Sequence, residues 1–211
     1  MTQSEVALAM AQPPSDRPAR TPPGWIAIAR HGKPALSRAV RLSRYQYRDW
    51  WRMYDAGGLA PGQSPPLVLR QLGEQANLVL ASTLRRAVET AQAVSGSKPI
   101  VQEELFVEAA LPPPPLAGQY NPGAWGVMAR AAWWLGISGE EESRKEAEAR
   151  ARKAALFLIA KAEAGENVLL LAHGWFNRMI RPHLREQGWA CRSDGGDKYW
   201  SHRLYMPRNP S

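Results

Sequence analysis

One cysteine, three phenylalanines and four histidines among 211 residues mark what this sequence has little of. Cys191 stands alone, which excludes an intramolecular disulfide, argues against a cysteine-based zinc site and fits a reducing compartment. No uncharged apolar run approaches the roughly 18 residues of a membrane span. The segment Val6–Met10 is too short for the core of a signal peptide and follows Glu5 rather than a basic cluster, so a cytoplasmic protein is expected. Acidic residues are also in short supply, 19 against 27 lysines and arginines, for a formal net charge of +8. That excess favours acidic partners, which include nucleic acids, anionic membranes and phosphorylated small molecules, without choosing among them. No repeat has the period of a solenoid.

What is present begins with proline. Pro13, Pro14, Pro18, Pro22 and Pro23 fall within residues 1–23, a polar stretch that buries little, so a disordered tail is expected there and one domain over 24–211. Strand and helix signals then alternate. Trp25 to Ala29 reads as a strand that breaks off into Arg30-His31-Gly32. Ser37 to Met53 has helical spacing, Asp55 to Pro66 is a glycine- and proline-rich loop, and Leu67 to Gly73 is a short helix. Asn77 to Ala81 is a second strand, with Ser82 as N-cap of a helix over 84–94. Pro99 to Gln102 forms a third strand, and Pro112 to Pro115 a rim loop that continues neither element. Helices are expected over 124–135, 140–164 and 175–187. Asn167 to Ala172 is a fourth strand, apolar throughout as a strand covered on both faces should be, and Tyr199 to Met206 is a candidate antiparallel edge strand. The alternation predicts an α/β fold, a three-layer αβα sandwich with a mostly parallel sheet.

Two strands end alike, IAIARHG and LLLAHG, and a third runs into Ser82-Thr83-Leu84-Arg85-Arg86-Ala87. If the three are parallel neighbours, their carboxyl ends gather two imidazoles and two or three guanidiniums at one edge, which makes a pocket for a dianion. Arginine forks match phosphate oxygens, and histidine serves as a nucleophile when its neighbours leave a ring nitrogen free. Nearby cations disfavour the imidazolium, and the glycine after each histidine removes a side chain where backbone must approach a ligand. These parts suit phosphoryl transfer, in which positioning and charge neutralisation supply most of the catalysis. The remaining features have plainer readings. His183 and His202 have no partner at metal-ligand spacing. Most of the nine tryptophans read as core, with stacking of one or two on a substrate ring as the alternative. The arginines of 38–48 and the charge run Glu140 to Arg152 read as solvated faces, one arginine of the first group being available to a distal anionic group.

The motifs resemble those of the histidine phosphatase superfamily, also called phosphoglycerate mutase-like: Arg30-His31-Gly32 near the amino terminus, Ser82-Thr83-Leu84-Arg85-Arg86-Ala87 with Glu89-Thr90-Ala91, and a late apolar strand ending in His173-Gly174. The resemblance implies that His31 is the nucleophile that becomes phosphorylated, that Arg30, Arg86 and His173 hold the phosphoryl oxygens, and that no cofactor or metal is needed. It further implies an acid after the third strand, here Glu108, with Glu103 and Glu104 as competitors. Ser37 falls where many members carry asparagine, and its hydroxyl is a candidate donor to phosphate. Pro34 and the run Pro112 to Pro115 depart from the family pattern, and the chain is shorter than typical mutases. A phosphatase acting on a phosphorylated small molecule is therefore expected. A mutase-type phosphoryl transferase and a non-catalytic phospho-ligand module are the alternatives, and nucleic-acid binding is a weaker idea resting on charge. Neither substrate identity nor oligomeric state is readable.

Overall fold

The computed structural model describes residues 22–208, so the tail expected over residues 1–23 lies, save its last two residues, outside the described residues. Six strands, β1 (Ile26–Arg30), β2 (Leu78–Ser82), β3 (Ile100–Glu103), β4 (Val168–Ala172), β5 (Trp189–Asp194) and β6 (His202–Pro207), form one sheet in the order β3-β2-β4-β1-β6-β5. The first four strands run parallel, and β6 is antiparallel to both β1 and β5. Six helices cover the sheet and its carboxyl edge: α1 (Arg44–Ala56), α2 (Leu67–Gln75), α3 (Arg85–Ser95), α4 (Pro122–Trp134), α5 (Arg144–Glu163) and α6 (Gly174–Glu186).

Strand periodicity sorts the apolar residues into two layers. Ile26 and Ile28 of β1, with Val168, Leu170 and Ala172 of β4, face α5 and α6, whereas Ala27, Ala29, Leu169 and Leu171 face α2 and α3. All five residues of β4 are buried, and each such leucine contributes roughly 1.5–3 kcal/mol over an exposed one. On α5, Ala151, Ala154, Ala155, Leu158, Ile159 and Ala162 recur at helical spacing, and the small residues let the helix lie close to the sheet. Helices α1 and α4 pack on each other through Tyr47, Trp50, Tyr54 and Trp125, a satellite core beside the site.

Several boundaries differ from the sequence expectation, each for a local reason. Helix α1 starts at Arg44 rather than near Ser37, because Ser43 and Gln46 form a capping box. Ser143 and Glu146 form another, so α5 starts at Arg144 and not at Glu140. Ser82 is not an N-cap: Leu84 holds that position on α3 without a side-chain bond. Strand β5 was not foreseen, since its second half is exposed and polar. As a result β6, expected at the sheet edge, lies inside it.

Gly73 lies where α2 crosses α3, and a Cβ there would run into the carbonyl group of Val94. An alanine in a helix interior ordinarily stabilises by about 1 kcal/mol over glycine. Here Gly73→Ala is expected to destabilise by about 1–3 kcal/mol, read as a lower urea midpoint at unchanged slope.

Candidate active site

Sheet register brings the two histidines together. Arg30 of β1 lies opposite Ala172 of β4, so His31 and His173 leave the sheet side by side with ring centroids 5.1 Å apart. The Nδ1 of His31 is 2.7 Å from the carbonyl oxygen of Gly32. A carbonyl only accepts, so Nδ1 carries the hydrogen and Nε2 keeps its lone pair. His31 is 2 % exposed. Burial first, then the charges of Arg86, Arg30 and Arg38, hold its imidazole well below the ordinary value of 6.5, against the opposing Gly32 bond. His173 is fully buried, its Nε2 is 2.8 Å from Ser82 Oγ, and its Nδ1 has no partner among the described residues. Burial, followed by Arg86, lowers its pKa as well. It stands beside His31, not on the cavity wall.

The guanidiniums are fixed by groups distant in sequence. Arg30 donates from Nη1 to the carbonyl of Asp197 at 2.7 Å and lies 4.3 Å from the Tyr199 ring centroid. Arg86, 1 % exposed, donates to the carbonyl of Tyr54 and pairs with Asp55 at 3.0 Å. Burial raises the Asp55 pKa, partly offset by Arg86. The Nε of each arginine is buried with no acceptor among the described residues. Asp197 in turn binds Arg178, Arg181 and Arg203, whose hydrogen bonds outweigh its burial and keep it ionised.

The glycines after the histidines serve the protein's own packing. A Cβ on Gly32 would strike the Trp200 indole, and one on Gly174 would crowd the Arg30 guanidinium. Trp200 itself has a left-handed φ of 63° and donates from its ring to Gln63. The Glu89-Thr90 pair is equally structural. Thr90 Oγ1 accepts from Gly32 N–H and donates to the Arg86 carbonyl, tying His31's loop to α3. Glu89 binds Leu59 N–H and Arg85.

Of the three candidate acids, Glu108 lines the cavity and Glu103 and Glu104 do not. Its carboxylate accepts from the N–H groups of Trp175 and Phe176 in the first turn of α6, at 3.1 and 2.8 Å. Arg150, expected on a solvated face, instead donates to the carbonyls of Leu105 and Val107 and so fixes the backbone leading to Glu108. Ser37 does not join the site. It is exposed, its Oγ accepts from Ala39 N–H, and it lines a separate depression, whereas Arg38 lines the main one. That main cavity, of about 530 Å³, is lined by Arg30, His31, Arg86 and Glu108 together with residues of α4. Sequence reasoning missed Asp55, Asp197, Tyr199 and Arg150. Among the described residues, no group of three histidine, cysteine, aspartate or glutamate side chains is placed to hold a metal ion, and no helix is long and apolar enough to cross a membrane.

Residues 67–191 match the family model of the histidine phosphatase superfamily, branch 1. The matched span starts after Arg30-His31-Gly32. No curated protein matches the sequence. Among solved structures, a phosphoserine phosphatase from Entamoeba histolytica in complex with 3-phosphoglyceric acid is 18% identical with a TM-score of 0.50, over 77% of this chain and 80% of that one. A mycobacterial glucosyl-3-phosphoglycerate phosphatase is 22% identical with a TM-score of 0.52, over 77% and 80%. An ecdysone phosphate phosphatase from Bombix mori with tungstate is 14% identical with a TM-score of 0.53, over 89% and 92%. At these identities the likeness is one of fold.

Both histidines are buried neutral, so the unfolded chain binds more protons than the folded one below the unfolded pKa of about 6.5. Stability is then full above that pH and falls as pH drops below it, by at most about 1.4 kcal/mol per pH unit for each histidine. Chemical denaturation between pH 7 and 5 should show this loss, and it should be shallower in a His31→Gln, His173→Gln double variant.

Proposed function

Because the chain belongs to the histidine phosphatase superfamily, we propose that it hydrolyses phosphate monoesters of a small metabolite through a phosphohistidine on His31. The observation that carries this reading is the state of His31: a buried neutral imidazole whose Nδ1–H is committed to the Gly32 carbonyl, with Nε2 free among guanidiniums. Such a nitrogen needs no base to release its lone pair. A cytoplasmic location, suited to the lone Cys191, belongs to the same reading.

In the first step Nε2 attacks phosphorus and the bond to the ester oxygen breaks. The guanidiniums of Arg30 and Arg86, which line the cavity, are donors for the equatorial oxygens as charge develops on them. Ser82 Oγ accepts from Leu84 N–H and shares a hydrogen bond with His173 Nε2, which fixes the His173 ring beside His31. Glu108 delivers its proton to the departing oxygen, then takes one from the water that attacks the phosphohistidine, so the enzyme returns to its starting protonation. The α6 amides hold the Glu108 carboxyl in place between the two steps.

With an aryl phosphate as substrate, His31→Ala is expected to abolish turnover. Glu108→Gln should lower kcat by about 10²–10⁴-fold, with the smaller losses for esters of acidic phenols, which leave without a proton. Undiminished turnover in His31→Ala would overturn the reading.

A further inference from the structure

The cavity holds far more than a phosphoryl group, and part of its lining is of a different kind. Trp51, Trp134 and Trp175 line it, together with Gly123, Gly126 and Val127 of α4. Trp134 is 50 % exposed and Val127 72 %, an unusual degree of exposure for apolar side chains that share one helix face. The opposite face of α4 carries Trp125, Ala129, Ala132 and Trp133, all buried. The helix therefore has its core side satisfied and presents a second apolar side to the cavity.

Gly126 is informative because nothing in the protein requires it. A Cβ there would lie 3.8 Å from the nearest atom, Tyr47 Oη, an ordinary contact. Helix propensity favours alanine at such a position. What the missing side chain leaves is room in a cavity that Trp51 and Trp134 also line; Arg144 lies 3.7 Å from the Trp134 ring centroid, and the other indole face suits a flat partner. The nearby cations do not turn this wall into a second anion site. Arg178 is paired with Asp197 and lies 5.6 Å from the Trp175 ring centroid, and Arg130 lies between Trp133 and Trp175, 4.6 and 4.5 Å from their ring centroids, so both cations are engaged with the protein's own side chains.

Resting on the phosphatase reading, we propose that this wall is a leaving-group subsite that selects phosphate esters of flat, largely apolar alcohols with two or more fused rings. The ester oxygen would lie near Glu108 and the ring system against Gly126, Trp51 and the face of Trp134 turned away from Arg144.

Phenyl phosphate and 2-naphthyl phosphate test this, because their leaving groups are chemically alike and differ in size. The kcat/KM for the naphthyl ester should exceed that for the phenyl ester by about tenfold, as expected when one more ring is buried. Gly126→Leu should bring the ratio close to one, and Gly126→Ala should lower it part of the way. In His31→Ala, calorimetry should show the naphthyl ester binding about tenfold tighter than the phenyl ester. Equal kcat/KM and equal binding for the two esters would overturn the subsite while leaving hydrolysis intact. A preference untouched by Gly126→Leu, in protein with an unchanged circular dichroism spectrum, would overturn it too. Tighter naphthyl binding with no turnover of either ester would support the subsite and sink the phosphatase reading.

Discussion

Parallel pairing of β1 with β4 places two imidazoles side by side, and the rest of the site depends on that juxtaposition. With Arg30 opposite Ala172, the chain can deliver His31 and His173 only to the same edge. A slip of one residue would turn Ile26, Ile28 and their β4 partners to the wrong layer, so the hydrophobic sorting of the core also holds the register of the chemistry. β2 completes the edge by setting Ser82 against His173. The arrangement is costly, because buried imidazoles cannot readily take up protons and sit among cations. The neutral form that results is the one a nucleophile needs.

The arginines raise a second problem, since positive groups crowded around His31 repel one another. Asp55 answers it for Arg86, and the Asp197 backbone and Tyr199 ring answer it for Arg30. Asp197 is held by three further arginines, so the loop before β6 serves as a fixed wall. Thr90 and Trp200 close the same structure around Gly32. A phosphate dianion entering this site would find charge already oriented, with little reorganisation left for the reaction to drive.

The sequence made some of this legible and hid the rest for physical reasons. Apolar runs and their abrupt ends mark β1, β2 and β4, and Arg30 and His31 at the end of β1, Arg86 in the helix after β2 and His173 after β4 converge. Glu108 was harder to identify, because three glutamates were within reach and only a contact with α6 separates them. Ser37 was misplaced because offset from His31 says nothing about where a loop turns. Asp55, Asp197, Tyr199 and Arg150 left no local signal: each acts on a partner far along the chain, and a carboxylate in a loop or an arginine in a charged helix looks solvated until the fold is known. The glycines illustrate the same limit. Their small size was visible, but whether Gly32 spares room for a ligand or for Trp200 is a tertiary fact.

The fate of the phosphoryl group at His31 is the most direct test of phosphohistidine chemistry in this site. Enzyme mixed with an aryl phosphate, quenched in alkali during turnover and digested for mass spectrometry, should yield a phosphoryl group on the peptide containing His31, stable in alkali and lost in acid. Phosphate found on a serine or threonine, or turnover with no phosphoenzyme trapped at any time, would contradict it.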